Sequence, residues 1–359
     1  MAKTPSKLIN IATRHQLFLE GHKTHIANQF DPFLKQMVKS LEKRIATKQL
    51  TEFSRDRIEK LITKLQEDIS DIYKNYYGVW KDQVVDFAKY ESEFEINALK
   101  QVVEFDFVTP SRKQLQSAVF MSPLNTKDYK GYLLKPFYEE WSDRTIKKVG
   151  GIIRNGYTQG LATPQIVREI KGTKGLRFAD GQLARGKKDI TLVTRTALQH
   201  TANEARQETW KENKDIVKGV RIVATLDDST TAECRSRDGQ VYPIGTGEFP
   251  PYHIGCRTTT AAVLDERYSF LDSNSTRAAR NESGKVEYVP AKQSYYEWLK
   301  TQPDKVQEFA LGKQRARLFR DGGISAERFR KINVGKDFQQ ISLDELRKLE
   351  PLAFEKAGL

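Results

Sequence analysis

Cysteine is scarce in this sequence. Only Cys234 and Cys256 occur in 359 residues. Two thiols cannot build the disulfide framework on which small secreted domains depend. Both cysteines lie in one short motif, so any role they have is local to that motif.

The sequence also lacks long apolar runs. No stretch of about 18 apolar residues is present, so no membrane-spanning helix is predicted. Near the N-terminus only Leu17, Phe18 and Leu19 form an apolar core, which is too short for a signal peptide. We therefore expect a protein that is made in a cytosol, is not exported by the usual route and has no membrane partner.

Familiar catalytic signatures are missing as well. We find no G-x-S-x-G elbow, no Walker loop and no H-E-x-x-H helix. The five histidines are scattered, and His22 and His25, which lie three residues apart, have no cysteine or acidic cluster beside them. We expect no catalytic residues, and interpret His22 and His25 as surface or packing residues.

Positive charge is abundant. The formal net charge is +13, and residues 141–190 hold eleven Lys/Arg against four Asp/Glu. An excess of this size favours contact with a polyanion, DNA first, although it is also compatible with a solvated surface. The candidate DNA contacts are Lys171, Lys174, Arg177, Arg185, Lys187 and Lys188, in a segment, 172–188, that we interpret as an exposed basic loop.

Residues 1–110 are predicted to form a helical arm. Apolar residues from Ile58 to Val79 recur in steps of four and three, which is a heptad seam. Ser54, followed by acids, suits the start of that helix. The arm is interpreted as an antiparallel hairpin, either self-contained or docking a partner ring. A connecting segment, 111–143, follows.

Residues 144–264 are predicted to be a small α+β module. Helices are expected over 144–157, 165–170 and 190–211, and short strands over 220–225, 240–243 and 258–263. Asp238-Gly239 is a hairpin-type turn signal. Residues 265–359 are expected to be a C-terminal helical extension that packs on the module, with Trp298, Leu299, Leu311, Leu318 and Phe319 as buried anchors. The fold class is thus α+β and mainly helical, with a few short strands.

One motif within the module carries a family resemblance. The chain reads TLDDSTTAECRSRDGQVY over residues 225–242, PPYHIGCR over 250–257 and TRTALQHTANEAR over 194–206. In order and spacing these strings resemble the Mu F-like phage head-morphogenesis family over about residues 144–264. The C-terminal strings around Trp298 and Phe319 are similar to an extension found on many phage members.

The resemblance implies a minor head protein: a virion structural protein inside the capsid near the portal vertex, assembled in the host cytoplasm. Its implied partners are the portal protein, other head proteins and packaged double-stranded DNA, bound non-specifically, and its implied roles are head morphogenesis and DNA packaging or delivery. Two alternatives stay open: a toxin- or transferase-type enzyme fused to such a module, and a DNA-binding assembly factor absent from mature virions.

The fullest family pattern implies four zinc-like ligands, and this chain retains three, Cys234, His253 and Cys256. Thr231 and Thr258 stand where further cysteines are expected. A structural zinc site usually has four ligands. We therefore expect no cofactor and a knuckle held by packing and hydrogen bonds, with zinc at the three remaining ligands as the alternative. The expected knuckle residues are Asp227, Cys234, Asp238, Gly239, Pro251, His253, Cys256 and Arg257, and we expect Arg235 and Arg257 to pair with the two acids.

Overall fold

The computed structural model describes residues 6–46, 48–271, 275–281 and 283–359. The first half is helical: α1 (Ser6–Asn28), α2 (Asp31–Leu41), α3 (Arg55–Lys100), α4 (Arg112–Met121), α5 (Leu134–Thr158), α6 (Thr163–Lys171) and α7 (Gln182–Glu212). A π-helical turn, Glu42–Ala46, extends α2. Among the described residues, no helix combines the length and the apolarity needed to cross a membrane.

The long helix α3 confirms the predicted start and seam. The Ser54 side chain accepts a hydrogen bond from the Arg57 N–H at 3.3 Å and so caps the helix. Most seam residues are buried, and Val79, the last, is 44% exposed. The seam packs against α2, α5 and α7 of the same chain. It is therefore internal to the fold and is not the unpartnered face of a separate arm.

A single apolar core joins three regions that the sequence analysis had treated as separate. It runs from Leu19 to Ala205 and includes residues of the predicted arm, of the connecting segment and of the predicted module. Within residues 111–143, α4 packs against α3 and α7. That segment is therefore a packed part of the helical body.

Two helices begin earlier than expected. The helix predicted over 144–157 starts at Leu134, and the helix predicted from Ile190 starts at Gln182. Only residues 172–181 are therefore loop, and Arg185, Lys187 and Lys188 lie on the first turns of α7. Gly186 is accepted in that helix because α5 passes close to it: an added Cβ would meet the Thr145 side chain at 2.9 Å.

The strands form two small antiparallel sheets, which confirms the α+β class. β1 (Val217–Val223) lies between β2 (Val241–Pro243) and β3 (Thr259–Leu264), with Val220 opposite both Tyr242 and Ala262. A helix that was not predicted, α8 (Ala232–Arg237), connects β1 to β2. A second sheet, also not predicted, pairs β4 (Thr276–Arg280) with β5 (Val286–Pro290).

The C-terminal part consists of six short helices: α9 (Tyr295–Lys300), α10 (Asp304–Leu311), α11 (Lys313–Asp321), α12 (Ala326–Ile332), α13 (Leu343–Leu349) and α14 (Pro351–Lys356). The five predicted anchors are buried in a core of their own, which confirms them. α9 and α12 contact α8. This part therefore rests on the segment that carries Cys234.

Candidate functional site

The knuckle, residues 225–258, brings the two cysteines and the histidine together. Thr231 caps α8 by accepting the Cys234 N–H, at 3.4 Å, which places Cys234 in the first turn. Gly239, with φ +78°, turns the chain into β2, so a turn is present where the Asp-Gly signal lies. The predicted hairpin type is wrong, because the turn follows helix α8 and Asp238 has φ −57°. The loop after β2 then returns and places His253 and Cys256 beside Cys234.

The three ligand atoms have the spacing of a zinc site. Cys234 Sγ lies 3.3 Å from His253 Nε2 and 3.7 Å from Cys256 Sγ, and all three atoms lie within 4.8 Å of one another. Ordinary Zn–S and Zn–N bonds in a tetrahedron require S···S and S···N edges of about 3.8 and 3.6 Å. The arrangement therefore fits one zinc ion through three protein ligands.

Neighbouring groups orient the histidine. His253 Nδ1 lies 3.1 Å from the Ile254 carbonyl oxygen, so that carbonyl accepts the Nδ1–H. This tautomer leaves the Nε2 lone pair facing the two sulfurs, as in histidines that bind metals. The hydroxyls of Thr231 and Thr258 lie beside the Cys234 sulfur, where the sequence pattern lacks its further cysteines. The open side of the site is thus lined by hydroxyl groups.

The two cysteines and the histidine shift one another's pKa values. Burial alone would raise the pKa of Cys256, but Cys234 and His253 stabilise its thiolate and bring that pKa well below its ordinary value. Burial alone would lower the pKa of His253, and Cys256 raises it above the usual range. The hydrogen bond to Cys256 raises the pKa of Cys234. The two cysteines and the histidine are therefore electrostatically coupled, and Cys256 is the more acidic of the two thiols.

Two buried acids hold the ends of the knuckle. Asp227 pairs with Arg257, as expected, with Nη2 to Oδ1 at 3.0 Å. Asp238, however, pairs with Arg277 of β4 and accepts backbone N–H groups from Ala224 and Tyr295, both at 2.8 Å. The expected pairing of Arg235 with an acid is wrong for this reason, since the Asp238 oxygens are already engaged.

Arg235 instead ties the knuckle to the C-terminal helices. Its guanidinium donates to the Thr230 carbonyl oxygen at 2.5 Å and to the Ala310 carbonyl oxygen at 2.6 Å. It also lies 5.2 Å from the centre of the Tyr295 ring. Pro251 is buried within the same structure. The knuckle is therefore held by packing and hydrogen bonds around the three ligand atoms.

The helix string and the knuckle string of the resemblance contact one another. Thr196 Oγ1 of α7 accepts the Gly255 N–H at 2.9 Å. The Asn203 side chain donates to the Pro250 carbonyl oxygen and accepts the Thr260 hydroxyl, both at 2.8 Å. Through these bonds, α7 holds residues 250–255 of the knuckle in place.

A buried ionic network was missed by the sequence analysis. Glu91 of α3 is fully buried and accepts from Arg206 of α7 at 2.8 Å, and it lies 2.7 Å from His15 Nε2 of α1. Arg206 also donates to Thr259 of β3 at 2.6 Å. Four elements meet at these side chains. The only sequence signal was that Arg206 belongs to the helix string.

The basic segment separates into paired and unpaired cations. Arg144, Arg154, Lys171 and Lys187 form ion pairs with Glu140, Glu59, Glu42 and Asp31. The other seven are exposed and have no ion pair with an acid in the described chain: Lys147, Lys148, Arg168, Lys174, Arg177, Arg185 and Lys188. We call these seven the basic surface. Of the six candidate DNA contacts, Lys171 and Lys187 are thus already paired.

The basic surface spans α5, α6, α7 and the loop between α6 and α7. Gly186 contacts Thr145, so the first turns of α7 lie against α5 close to Lys148. Lys148 and Arg144 both act on the Asp189 carboxyl of α7, whose pKa burial nevertheless raises. The cations of α5 and α7 therefore share one side of the molecule.

Comparison with protein-family models, with curated proteins and with solved structures finds no match for this chain.

Proposed function

We propose that this chain is a structural protein of a tailed-phage virion, a minor head protein that acts in head morphogenesis and in DNA packaging or delivery. The observation that carries the proposal is the basic surface, seven exposed cations that form no ion pair among the described residues. In the sequence these cations precede the motif that resembles the Mu F-like family. The proposed function is binding, without catalysis. In the virion the protein would lie inside the capsid near the portal vertex.

The proposed DNA contact is electrostatic. Lysine and arginine side chains that neutralise phosphates release counterions, which gives affinity without sequence preference and makes that affinity fall steeply with salt. The four cations that are paired inside the chain contribute less, because DNA would have to compete with their acids. The DNA-binding set is therefore the basic surface, and Lys171 and Lys187 are secondary.

The proposed protein partners are the portal protein and other head proteins. Because the heptad seam of α3 is covered, a partner of that helix has to use its remaining exposed side. Phe18 of α1 is 56% exposed and Tyr90 of α3 is 41% exposed, with ring centres 6.4 Å apart. A pull-down with the portal protein, comparing wild type with Phe18→Ser, tests this contact. Equal recovery would place the portal contact elsewhere.

The DNA proposal is tested by titrating a labelled duplex at several salt concentrations. Replacing Lys147, Lys148, Lys174, Arg177, Arg185 and Lys188 with glutamine should abolish most binding, and the wild-type affinity should fall about 10³-fold or more between 50 and 200 mM salt if six phosphates are contacted. Unchanged binding by the glutamine variant would exclude the basic surface as the DNA contact.

Mass spectrometry of purified virions tests the structural role. We expect the chain in mature particles, at few copies. Its absence would favour the alternative of an assembly factor. Turnover of NAD or nucleic acid that one point substitution abolishes would instead favour the enzyme alternative.

We further propose that Cys234, His253 and Cys256 bind zinc. The carrying observation is the spacing of the three atoms together with the His253 tautomer. Bound zinc would act as a structural cross-link between α8 and the 250–258 loop, with a water or a threonine hydroxyl completing its ligands.

The zinc proposal is tested on the full chain purified without chelators. We expect one zinc per chain by elemental analysis, and thiolate-to-metal absorption when cobalt replaces it. Cys256→Ser should lose both, whereas Ser283→Ala, far from the site in sequence and exposed, should lose neither. A metal-free wild type that added zinc does not stabilise would contradict the proposal.

A further inference from the structure

The loop between α6 and α7, residues 172–181, is closed on itself. The backbones of Gly172 and Gly181 are in close contact, because a Cβ added to Gly181 would meet the Gly172 nitrogen at 2.4 Å. Thr173 receives the Phe178 N–H at its carbonyl oxygen, and its own N–H donates to Asp180 Oδ1, both at 2.8 Å. Asp180, the single acid of the loop, therefore stabilises the loop where it leaves α6.

The tip of the braced loop lies at the surface. All six residues from 174 to 179 are exposed. Two of them are large and apolar: Leu176 is 61% exposed and Phe178 is 41% exposed. Arg177 and Phe178 both adopt the left-handed conformation, with φ of +50° and +63°. Non-glycine residues rarely adopt it, and such strain persists only where the surroundings impose it. The tip of the loop therefore has a defined conformation that its surroundings impose.

Exposed cations lie within the apolar tip and on both sides of it along the chain. Lys174 and Arg177 lie within it, Arg168 precedes it on α6, and Arg185 and Lys188 follow on α7. The first turn of α7 has no acid to offset the positive end of its dipole. A ligand that complements this surface combines a high density of negative charge with a cleft that accepts one or two apolar side chains.

Duplex DNA fits that description better than a lipid surface does. Anionic membranes are bound by helices that present a broad apolar face. Two side chains at a loop tip do not provide one. Proteins that bind the minor groove use isolated leucine or phenylalanine wedges between base steps, flanked by arginine and lysine that contact the phosphates.

We infer that loop 172–181 is a wedge that inserts Leu176 and Phe178 into the minor groove of duplex DNA and bends it, while the basic surface holds the phosphates. This inference rests on the proposed DNA binding and deepens it. It adds a deformation of the DNA that phosphate contact alone does not produce.

The test uses the full chain and a duplex of about 20–30 base pairs. The duplex carries fluorophores at its ends to report bending and 2-aminopurine inside to report unstacking. The wedge variant is Leu176→Ser with Phe178→Asn, since asparagine tolerates the left-handed conformation. The matched control is Phe309→Ser with Leu352→Ser, two side chains that are 72% and 70% exposed on the C-terminal helices.

Wild type and control should bend and unstack the duplex. The wedge variant should do neither and should bind about tenfold more weakly, because the burial of the two side chains offsets the unstacking of base steps. Its salt dependence should match wild type, since no cation is removed. By contrast, Lys174→Gln with Arg177→Gln should lower the slope of log affinity against log salt by about two.

The outcomes separate the two proposals. If wild type shows no salt-dependent binding of duplex, the proposed DNA function fails. If wild type binds but the wedge variant binds and bends DNA equally well, only the wedge is overturned. If the wedge variant keeps its DNA behaviour but loses binding to vesicles of phosphatidylserine and phosphatidylcholine, the tip is a lipid contact and the wedge is likewise overturned.

Discussion

The knuckle and the basic surface use the same residue types in opposite ways. The knuckle and its border contain three largely buried arginines, Arg235, Arg257 and Arg277. Each donates a hydrogen bond to a carbonyl or carboxylate oxygen of the knuckle. The seven cations of the basic surface are exposed and have no acidic partner in the described chain. The two regions differ in whether carboxylate or carbonyl oxygens lie within reach of each cation, and the number of arginines alone does not reveal that difference.

Arg237 illustrates the buried class. Its guanidinium lies between the rings of Tyr252 and Phe338, at 4.3 and 3.7 Å, and pairs with Glu233 at 3.0 Å and Glu248 at 2.9 Å. An ion removed from water loses several kcal/mol of solvation unless partners replace it. The buried arginines of the knuckle are therefore bound to fixed partners, whereas the cations of the basic surface remain available for phosphate.

The largest effect is expected when a buried acid of the knuckle is removed. Asp238→Ala leaves Arg277 buried without its counter-ion and orphans the N–H groups of Ala224 and Tyr295. We expect a loss of about 3–5 kcal/mol in the free energy of unfolding. Denaturant titration measures it, with Asp228→Ala, which forms no ion pair in the described chain, as the control.

A second variant checks the cause. Adding Arg277→Leu to Asp238→Ala removes the stranded charge and should recover part of the lost stability. Equal losses in Asp238→Ala and Asp228→Ala would show that the buried, paired Asp238 contributes no more than the half-buried Asp228, and the comparison between the two regions would fail.

A smaller effect is expected at Asp227. Burial alone would raise its pKa, but hydrogen bonds from Arg257, Thr230 and Ser229 hold the pKa below its ordinary value. A lowered carboxyl pKa contributes stability that is present above the unfolded value, about 3.9, and is lost as the pH falls through the folded value. Asp227→Asn should cost about 1–3 kcal/mol at pH 7.

The pH dependence distinguishes charge from shape. Because the amide of Asp227→Asn does not titrate, its stability should fall less steeply below about pH 4 than that of wild type. Chemical denaturation between pH 3 and 7, values that bracket the carboxyl pKa of about 3.9, measures the difference. Parallel curves would mean that Asp227 contributes through geometry alone.

The third prediction contrasts paired with unpaired lysines in DNA binding. Lys174→Gln with Lys188→Gln removes two free cations, and we expect the salt slope to fall by about two and the affinity to fall about tenfold. Lys171→Gln with Lys187→Gln removes two cations already paired to Glu42 and Asp31 at 2.5 Å. It should change the affinity less. Equal losses would show that DNA displaces the internal acids.

The sequence predicted features that are set by neighbours along the chain. The Ser54 cap, the seam of α3, the Asp238-Gly239 turn and the β1 and β3 strands depend on local pattern, and each is present within a few residues. The Asp227–Arg257 pair was also expected. These are cases in which capping, periodicity or turn chemistry acts over a few residues or repeats regularly.

Features set by distant partners were not predicted. Arg277, the partner of Asp238, lies on β4, whose sequence TRAAR lacks the run of β-branched and aromatic residues that indicates a strand. The early start of α7 was hidden because Gly181 and Gly186 suggested a loop, and only the close approach of Thr145 shows why Gly186 is helical. Glu91, Arg206 and His15 lie on three helices, and no local pattern relates them.

The smallest effect is expected when the basic surface itself is tested for stability. Replacing Lys147, Lys148, Lys174 and Lys188 with glutamine removes exposed charges that have no acidic partner in the described residues, so the free energy of unfolding should change by no more than about 0.5 kcal/mol. Relief of repulsion among like charges could even give a slight gain. Thermal and denaturant unfolding of this variant, beside Asp238→Ala, measure both ends of the comparison. A loss of several kcal/mol would mean that these lysines support the fold, and weaker DNA binding could then no longer be attributed to lost phosphate contacts.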